Sequence, residues 1–187
     1  MLSSDINNDC IDRNFNNMHK ALVSPVEKLR HSILRDFVNH EESSISLGCG
    51  GYEPAVIGTR YASDVQQRAE KYLRSVGFRG EFTQADIRAL PFKNKQFKIA
   101  VASEVIEHLD TEGDVVLALY ETNRVAKSWI ISTPHYSCDD PDHKFHFTEN
   151  QLNKLFVNIP HEIFIKGHFF YITNDKEKLS AILSKYP

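Results

Sequence analysis

The chain has 187 residues, 41% of them hydrophobic and 25% charged, with a net charge of −3 at neutral pH. That length and balance suit one soluble globular domain, and the slightly negative charge excludes a global basic field drawing it onto nucleic acid or an anionic membrane. Three cysteines, Cys10, Cys49 and Cys138, are odd in number and unrelated in spacing, which argues against a disulfide framework and for a reducing, cytoplasmic setting.

Residues 1–17 are rich in Asn and Asp and poor in large apolar groups. They are expected to form a flexible N-terminal lead or a flap over a site, ahead of a single domain over 18–187. The lead lacks the basic-then-apolar order of a secretory signal, and no apolar run approaches the roughly 20 residues needed to span a bilayer. From Met18 to Val38, the residues Leu22, Val26, Leu29, Ile33, Leu34 and Val38 recur at mostly three- and four-residue steps. This predicts an amphipathic helix with a break near Pro25, where Ser24-Pro25 followed by Glu27 makes a helix start.

Ser44 to Leu47 reads as a first strand, and Ser46-Leu47-Gly48-Cys49-Gly50-Gly51 turns directly out of it. Three glycines in four positions allow a tight turn and close backbone approach to a ligand. Ile99 to Ser103 and Trp129 to Ser132 are apolar runs of the kind buried on both faces of a parallel sheet, with a helical pattern over Gly113 to Ala126 between them. Ile163–Ile165 and Phe169–Ile172 flank Lys166-Gly167-His168 as a hairpin, and Lys176 to Lys185 is a final helix. Alternating strands and helices followed by a hairpin predict an α/β three-layer sandwich, Rossmann-like, with a mostly parallel sheet and an antiparallel edge. In such sheets ligands sit at the carboxyl ends of the strands, where the glycine turn lies.

A carboxylate at the end of the second strand is suited to ribose hydroxyls. Two registers compete for it. Taking Val56-Ile57-Gly58 as the strand places Arg60 at that position but leaves only about six residues for a parallel crossover that needs roughly a dozen. Taking Pro54 to Arg60 as a short helical crossover and Tyr61 to Val65 as the strand favours Asp64, whose alternative role is to cap a helix over Val65 to Val76. A third strand over Glu81 to Ile87 ends in Asp86, whose carboxylate suits an adenine amine while the Ile87 N–H suits a ring nitrogen; a solvated turn aspartate is the competing reading. Ser103-Glu104-Val105-Ile106-Glu107-His108-Leu109 places polar groups at the end of the fourth strand.

In this order, Leu47-Gly48-Cys49-Gly50-Gly51, Asp86-Ile87-Arg88-Ala89-Leu90-Pro91-Phe92, Ser103 to Leu109 and His146-Phe147-Thr148-Glu149-Asn150-Gln151-Leu152 resemble the class I S-adenosylmethionine-dependent methyltransferases, particularly the small group that includes ubiquinone and menaquinone biosynthesis enzymes. The resemblance covers roughly residues 40 to 175. It implies a seven-stranded sheet with the last strand antiparallel, S-adenosyl-L-methionine as cofactor, and methyl transfer to a small-molecule or carrier-presented acceptor. It also implies cofactor contacts from Gly48, Cys49, Gly50, Gly51, Asp64, Asp86, Ile87, Ser103 and Glu104. Two departures stand out: Ser46 occupies a position that is usually acidic, for which Glu53 is a candidate for partial compensation, and the first crossover is short. They motivate the alternative of a degenerate cofactor-binding subunit that supports a partner.

Ser132 to His146 follows the fifth strand and opens on the same edge, with His135 and Tyr136 best placed to touch an acceptor and His108 a further catalytic candidate. His143 or His146 are placed to assist. A metal set of His135, Cys138, His143 and His146 matches no standard structural-zinc spacing, so no metal is expected. Nucleic acid is not expected as the acceptor, since no basic stripe is visible and Ser103-Glu104-Val105-Ile106 replaces the Asn/Asp-Pro-Pro-aromatic motif.

Overall fold

A computed structural model of the chain describes residues 4–135 and 140–187. Its strands are β1 (Ser44–Leu47), β2 (Tyr61–Asp64), β3 (Glu81–Gln84), β4 (Phe97–Ser103), β5 (Ala126–Pro134), β6 (Glu162–Lys166) and β7 (Phe169–Thr173). They form one sheet in the order β3-β2-β1-β4-β5-β7-β6. The first five strands are parallel neighbours, and β7 runs antiparallel to both β5 and β6. The seven-stranded sheet with an antiparallel last strand is as expected. The antiparallel strand is not at the edge, however: β7 inserts beside β5 and leaves β6 outermost.

The helices are α1 (Ser4–Val23), α2 (Pro25–Val38), α3 (Glu53–Ile57), α4 (Ala69–Ser75), α5 (Glu112–Val125), α6 (Glu149–Leu155) and α7 (Lys176–Leu183). Alternation along β4 divides the core into two layers. Ala100 and Ala102 pack with Val115, Ala118 and Leu119 of α5 and Leu152 of α6. Ile99 and Val101 pack on the other face with Ile33, Leu34 and Phe37 of α2 and Leu179 and Ile182 of α7. Every residue of β4 except Lys98 is buried, as expected for a central parallel strand.

The largest departure from expectation is at the N-terminus. The proposed flexible lead over 1–17 is helical from Ser4 onward, and α1 continues to Val23, where Ser24-Pro25 separates it from α2. Tertiary partners secure this polar helix: the Phe15 ring stacks on Tyr72 with centroids 4.2 Å apart, Asp12 pairs with Arg68 at 3.2 Å, and Arg13 pairs with Asp142 at 2.8 Å. The short crossover is present as α3, with Pro54 in its first turn and Gly58 closing it at φ 83°. The helix after β2 starts at Ala69 rather than Val65, because the Gln66 N–H donates to Asp64 Oδ1 at 2.8 Å and holds a turn first. α6 begins in a reciprocal capping box between Thr148 and Gln151.

α2 carries an unusual burial. Arg30 and His31 lie on its buried side together with Ile33, Leu34 and Phe37. Burial, and then the charges of Arg30 and Arg35, press the His31 imidazole down to about 3. It stays neutral beside the Arg30 guanidinium and Glu53, at 3.3 Å and 3.6 Å, with the Tyr52 ring edge-on. A histidine whose folded value lies below its unfolded value of about 6.5 binds protons preferentially in the unfolded chain. Its contribution to stability is therefore complete above that value and is lost as pH falls towards 3, at up to about 1.4 kcal/mol per pH unit. His31→Gln is expected to flatten this acid limb, measured by urea unfolding across pH 4 to 7; an unaltered slope would show that His31 does not set it.

Candidate active site

In the strand order, β1 and β4 are neighbours whose onward connections leave in opposite directions, which creates a crevice at their carboxyl ends. A cavity of about 630 Å³ opens there. Its walls are the glycine turn 48–51 with Tyr52 and Glu53 after β1, Ser103 and Glu104 at the end of β4, and His108 beyond them. Arg13, Asn17 and Ala21 of α1, Glu27 and Arg30 of α2, and Pro134, Asp140, Pro141, His143 and Phe169 complete it.

The turn is built around backbone that only glycine enters freely. Gly48 and Gly50 have φ of 64° and 55°, in the left-handed region. A Cβ on Gly48 would stand 2.7 Å from Val105 Cγ1, and one on Gly51 would stand 2.9 Å from Tyr72 Cβ. The turn is thus wedged against both the β4 loop and the α4 surface. The Gly50 N–H donates to Asp64 Oδ2 at 3.0 Å, which ties the loop to the end of β2. Cys49 is buried beneath the turn, and burial pushes its thiol well above the usual range.

The floor is a charged network. The Arg30 guanidinium donates to Glu53 Oε1 at 2.7 Å, to Glu27 Oε2 at 2.6 Å, and to the Ser103 hydroxyl. Its own burial opposes the charge, but the carboxylates of Glu53, Glu104 and Glu27 outweigh that and hold it firmly protonated. Burial raises Glu53, and Arg30 draws it back. Glu104 adopts φ 54°, strained for a side chain of that size, and is held by its own N–H donating to the Ser132 carbonyl at 3.0 Å. Burial, then the neighbouring Glu107, pushes its carboxyl well up.

Of the residues singled out from sequence, the glycine turn, Glu53, Ser103, Glu104, His108 and His143 converge on this cavity. Asp64 does not line it; it is buried behind the turn, where burial raises its carboxyl against the pull of the Gln66 and Gly50 N–H groups. Asp86 lies outside the cavity walls. The strand ends at Gln84, and Asp86 is clamped by Arg88 Nε at 2.9 Å and Nη2 at 2.6 Å, with Arg88 also reaching Asp114 at 2.7 Å. Ile87 is buried in the core. His135 turns from the cavity towards the β6–β7 turn, its Nε2 at 3.0 Å from the Gly167 carbonyl. Tyr136 and Cys138 lie outside the described residues.

The sequence reading missed Arg30, Glu27 and the α1 residues. Arg30 had left a signal: it sits at helical spacing within the Val26–Ile33–Phe37 stripe, where a charge needs a partner. Ser46 offers no carboxylate to the site, since its buried hydroxyl accepts from Thr59 Oγ1 at 3.3 Å. Glu53 instead lines the cavity.

The glycine cradle and the mixture of buried acids with an arginine fit a cofactor that carries an ammonium, a carboxylate and a cationic sulfur. Residues 45–129 match the profile of a family described as a methyltransferase domain. No curated protein sequence matches the chain significantly. Among solved structures, a methyltransferase dependent on S-adenosylmethionine from Thermotoga maritima, described as a possible histamine N-methyltransferase, is similar at TM-score 0.63 and 16% identity, covering 87% of this chain and 96% of its own. One from Aquifex aeolicus is similar at TM-score 0.64 and 16% identity, covering 88% and 96%. Magnesium protoporphyrin IX methyltransferase from Synechocystis, solved with bound S-adenosylmethionine, is similar at TM-score 0.62 and 13% identity, covering 92% and 97%. At these identities the likeness is one of fold. The matched profile describes the methyltransferase domain in general and does not single out the ubiquinone and menaquinone enzymes.

Proposed function

We propose that the chain, whose residues 45–129 match a methyltransferase domain, is a class I S-adenosylmethionine-dependent methyltransferase that methylates a small molecule, or a group presented on a carrier, held in the 630 Å³ cavity. The observation that carries this reading is the meeting of the glycine turn with Ser103 and Glu104 in one charged cavity at the sheet's switch point. When bound, the cofactor supplies a methyl group already activated on a sulfonium, so the protein's tasks are to align the two reactants and exclude water.

The residues divide these tasks between them. Glu53 and Glu104 suit the ammonium and the cationic sulfur, while Arg30 suits the carboxylate of the methionine end. Glu53 thereby replaces the acid absent at Ser46. Asp64 is assigned to the ribose hydroxyls: each of its oxygens accepts one backbone N–H and retains a second lone pair. α1 adds Arg13, Asn17 and Ala21 to the cavity wall. Of the acceptor-side candidates among the described residues, His108 and His143 are in the wall.

Calorimetry with S-adenosylmethionine, followed by transfer of a labelled methyl group to a panel of small molecules, tests the reading. One cofactor per chain is expected; no binding would favour the subunit that supports a partner. Asp64→Asn is expected to weaken cofactor binding by roughly 10- to 100-fold, the loss of charge-assisted hydrogen bonds of about 1.5–3 kcal/mol. Unchanged affinity would remove Asp64 from the ribose position.

A further inference from the structure

Beside the cofactor cradle, the turn after β4 presents a group of side chains that the transfer of a sulfonium methyl does not need. Glu107, His108 and His143 each place one ligating atom so that all three lie within 4.8 Å of one another. Glu107 is fully buried; its Oε2 accepts from Thr133 Oγ1 at 3.1 Å, and its Oε1 has no hydrogen-bond partner among the described residues. A buried carboxylate oxygen left without a donor is costly. The His108 and His143 rings stand edge to face with centroids 4.7 Å apart. His108 Nδ1 lies 3.2 Å from the Asp142 carbonyl, an acceptor only. Nδ1 therefore carries the proton and Nε2 keeps its lone pair, the arrangement in which a backbone carbonyl orients a metal-ligating histidine.

The two segments are also locked together. Lys144 and Phe145 both donate their N–H to the Glu107 carbonyl, at 2.7 Å and 3.2 Å, which holds His143 over the turn. His108 and His143 line the cavity while Glu107 sits behind them, so a cation held by the three would be open on the cavity side.

We propose that Glu107, His108 and His143 form a divalent transition-metal site in the cavity wall, with open coordination positions that take an oxygen of the methyl acceptor. Two imidazoles and one carboxylate favour Mn²⁺, Co²⁺ or Zn²⁺ over the all-oxygen surroundings preferred by Ca²⁺ and Mg²⁺. The choice of an oxygen acceptor rests on the methyltransferase reading; the metal site does not. This set differs from the spacing-based one of His135, Cys138, His143 and His146 and shares only His143 with it. Glu104 lies close enough to Glu107 for their charges to interact, so a cation there would also relieve that repulsion.

The test uses the full chain, stripped with chelator and titrated with Mn²⁺ and Co²⁺ in the absence of cofactor. One equivalent of Mn²⁺ is expected to bind, read by loss of the free-ion electron paramagnetic resonance signal, and to enhance water-proton relaxation because the site is open. Co²⁺ is expected to give the visible absorption of imidazole coordination. Glu107→Gln and His143→Ala, each verified as folded by circular dichroism, should weaken binding at least about tenfold, the lower end of what even an outer-shell partner contributes. No stoichiometric binding, or equal binding by the variants, would overturn the site, and bound Mn²⁺ without relaxation enhancement would overturn its openness to an acceptor. Cofactor calorimetry on the same stripped chain is separate: its failure would count against the methyltransferase reading and leave the metal result standing.

Discussion

Arg30→Met is expected to destabilise the chain by about 3–5 kcal/mol at neutral pH, the range for removing one partner of a buried ion pair. Methionine keeps most of the stem that packs by Phe169, over whose ring the guanidinium lies at 5.3 Å, so the loss is one of charge rather than volume. What remains is Glu53, buried and stripped of its 2.7 Å contact, and Glu27, which is only partly covered. Burial already raises the Glu53 carboxyl, and Arg30 pulls it back; without Arg30 it rises further. A carboxyl with a raised folded value binds its proton preferentially in the folded chain, so the variant lies closest to wild type at low pH and loses ground as pH increases. Glu53→Gln added to Arg30→Met should recover a large part of the deficit, because an amide needs no counter-charge. Urea unfolding of the four chains of this cycle, at pH 5 and pH 7.5, measures both effects. A cost below about 1 kcal/mol, the scale of an exposed pair, would show that the network contributes little.

The second large effect is expected at Gly48. Gly48→Ala combines a left-handed φ of 64° with a Cβ only 2.7 Å and 2.8 Å from the two Val105 methyls. The conformation alone costs roughly 1–2 kcal/mol, and the clash forces the turn or the β4 loop to shift. Both are cavity walls, so the cofactor loses its cradle and the methyl group its alignment. Affinity for S-adenosylmethionine should fall at least about tenfold, and turnover by about 100-fold, the penalty of an ångström-scale misplacement. Gly50→Ala is the control: φ is similar at 55°, but among the described residues no atom beyond its chain neighbours lies within 4 Å of its added methyl, so its stability cost should be the backbone term alone. Adding Val105→Ala to Gly48→Ala should restore part of the lost stability. Equal stability losses at Gly48 and Gly50 would contradict the wedge against Val105.

The site was legible to the degree that its chemistry was contiguous in sequence. The glycine turn, Ser103, Glu104 and His108 follow strands directly, so knowing where a strand ends sufficed to place them on the carboxyl edge. Asp86 follows from the same logic but is clamped by Arg88, which also reaches Asp114, 26 positions further along the chain; no strand-end pattern indicates that its carboxylate is already held. His135 likewise follows β5 directly, yet the incoming β6–β7 hairpin supplies the Gly167 carbonyl and turns its ring aside. The helix of the N-terminal segment was hidden for a related reason. Its polar composition predicts disorder for an isolated segment, whereas its helix rests on ring stacking and ion pairs with Tyr72, Arg68 and Asp142, more than 50 residues downstream.

By itself the sequence determined the three-layer α/β class, because apolar runs at strand spacing and amphipathic helices between them have to bury those faces, while packing decided that β7 inserts beside β5. It also favoured the short helical crossover, since Pro54 starts a helix locally and the competing register leaves too few residues between parallel strands. The tertiary structure alone decided which charges share the cavity. Arg30, Glu53 and Ser103 come from three separate segments, and Glu107 and His143 from two, so their pairing depends on packing. Charge and coordination act over a few ångströms in space, while sequence patterns report only on neighbours along the chain.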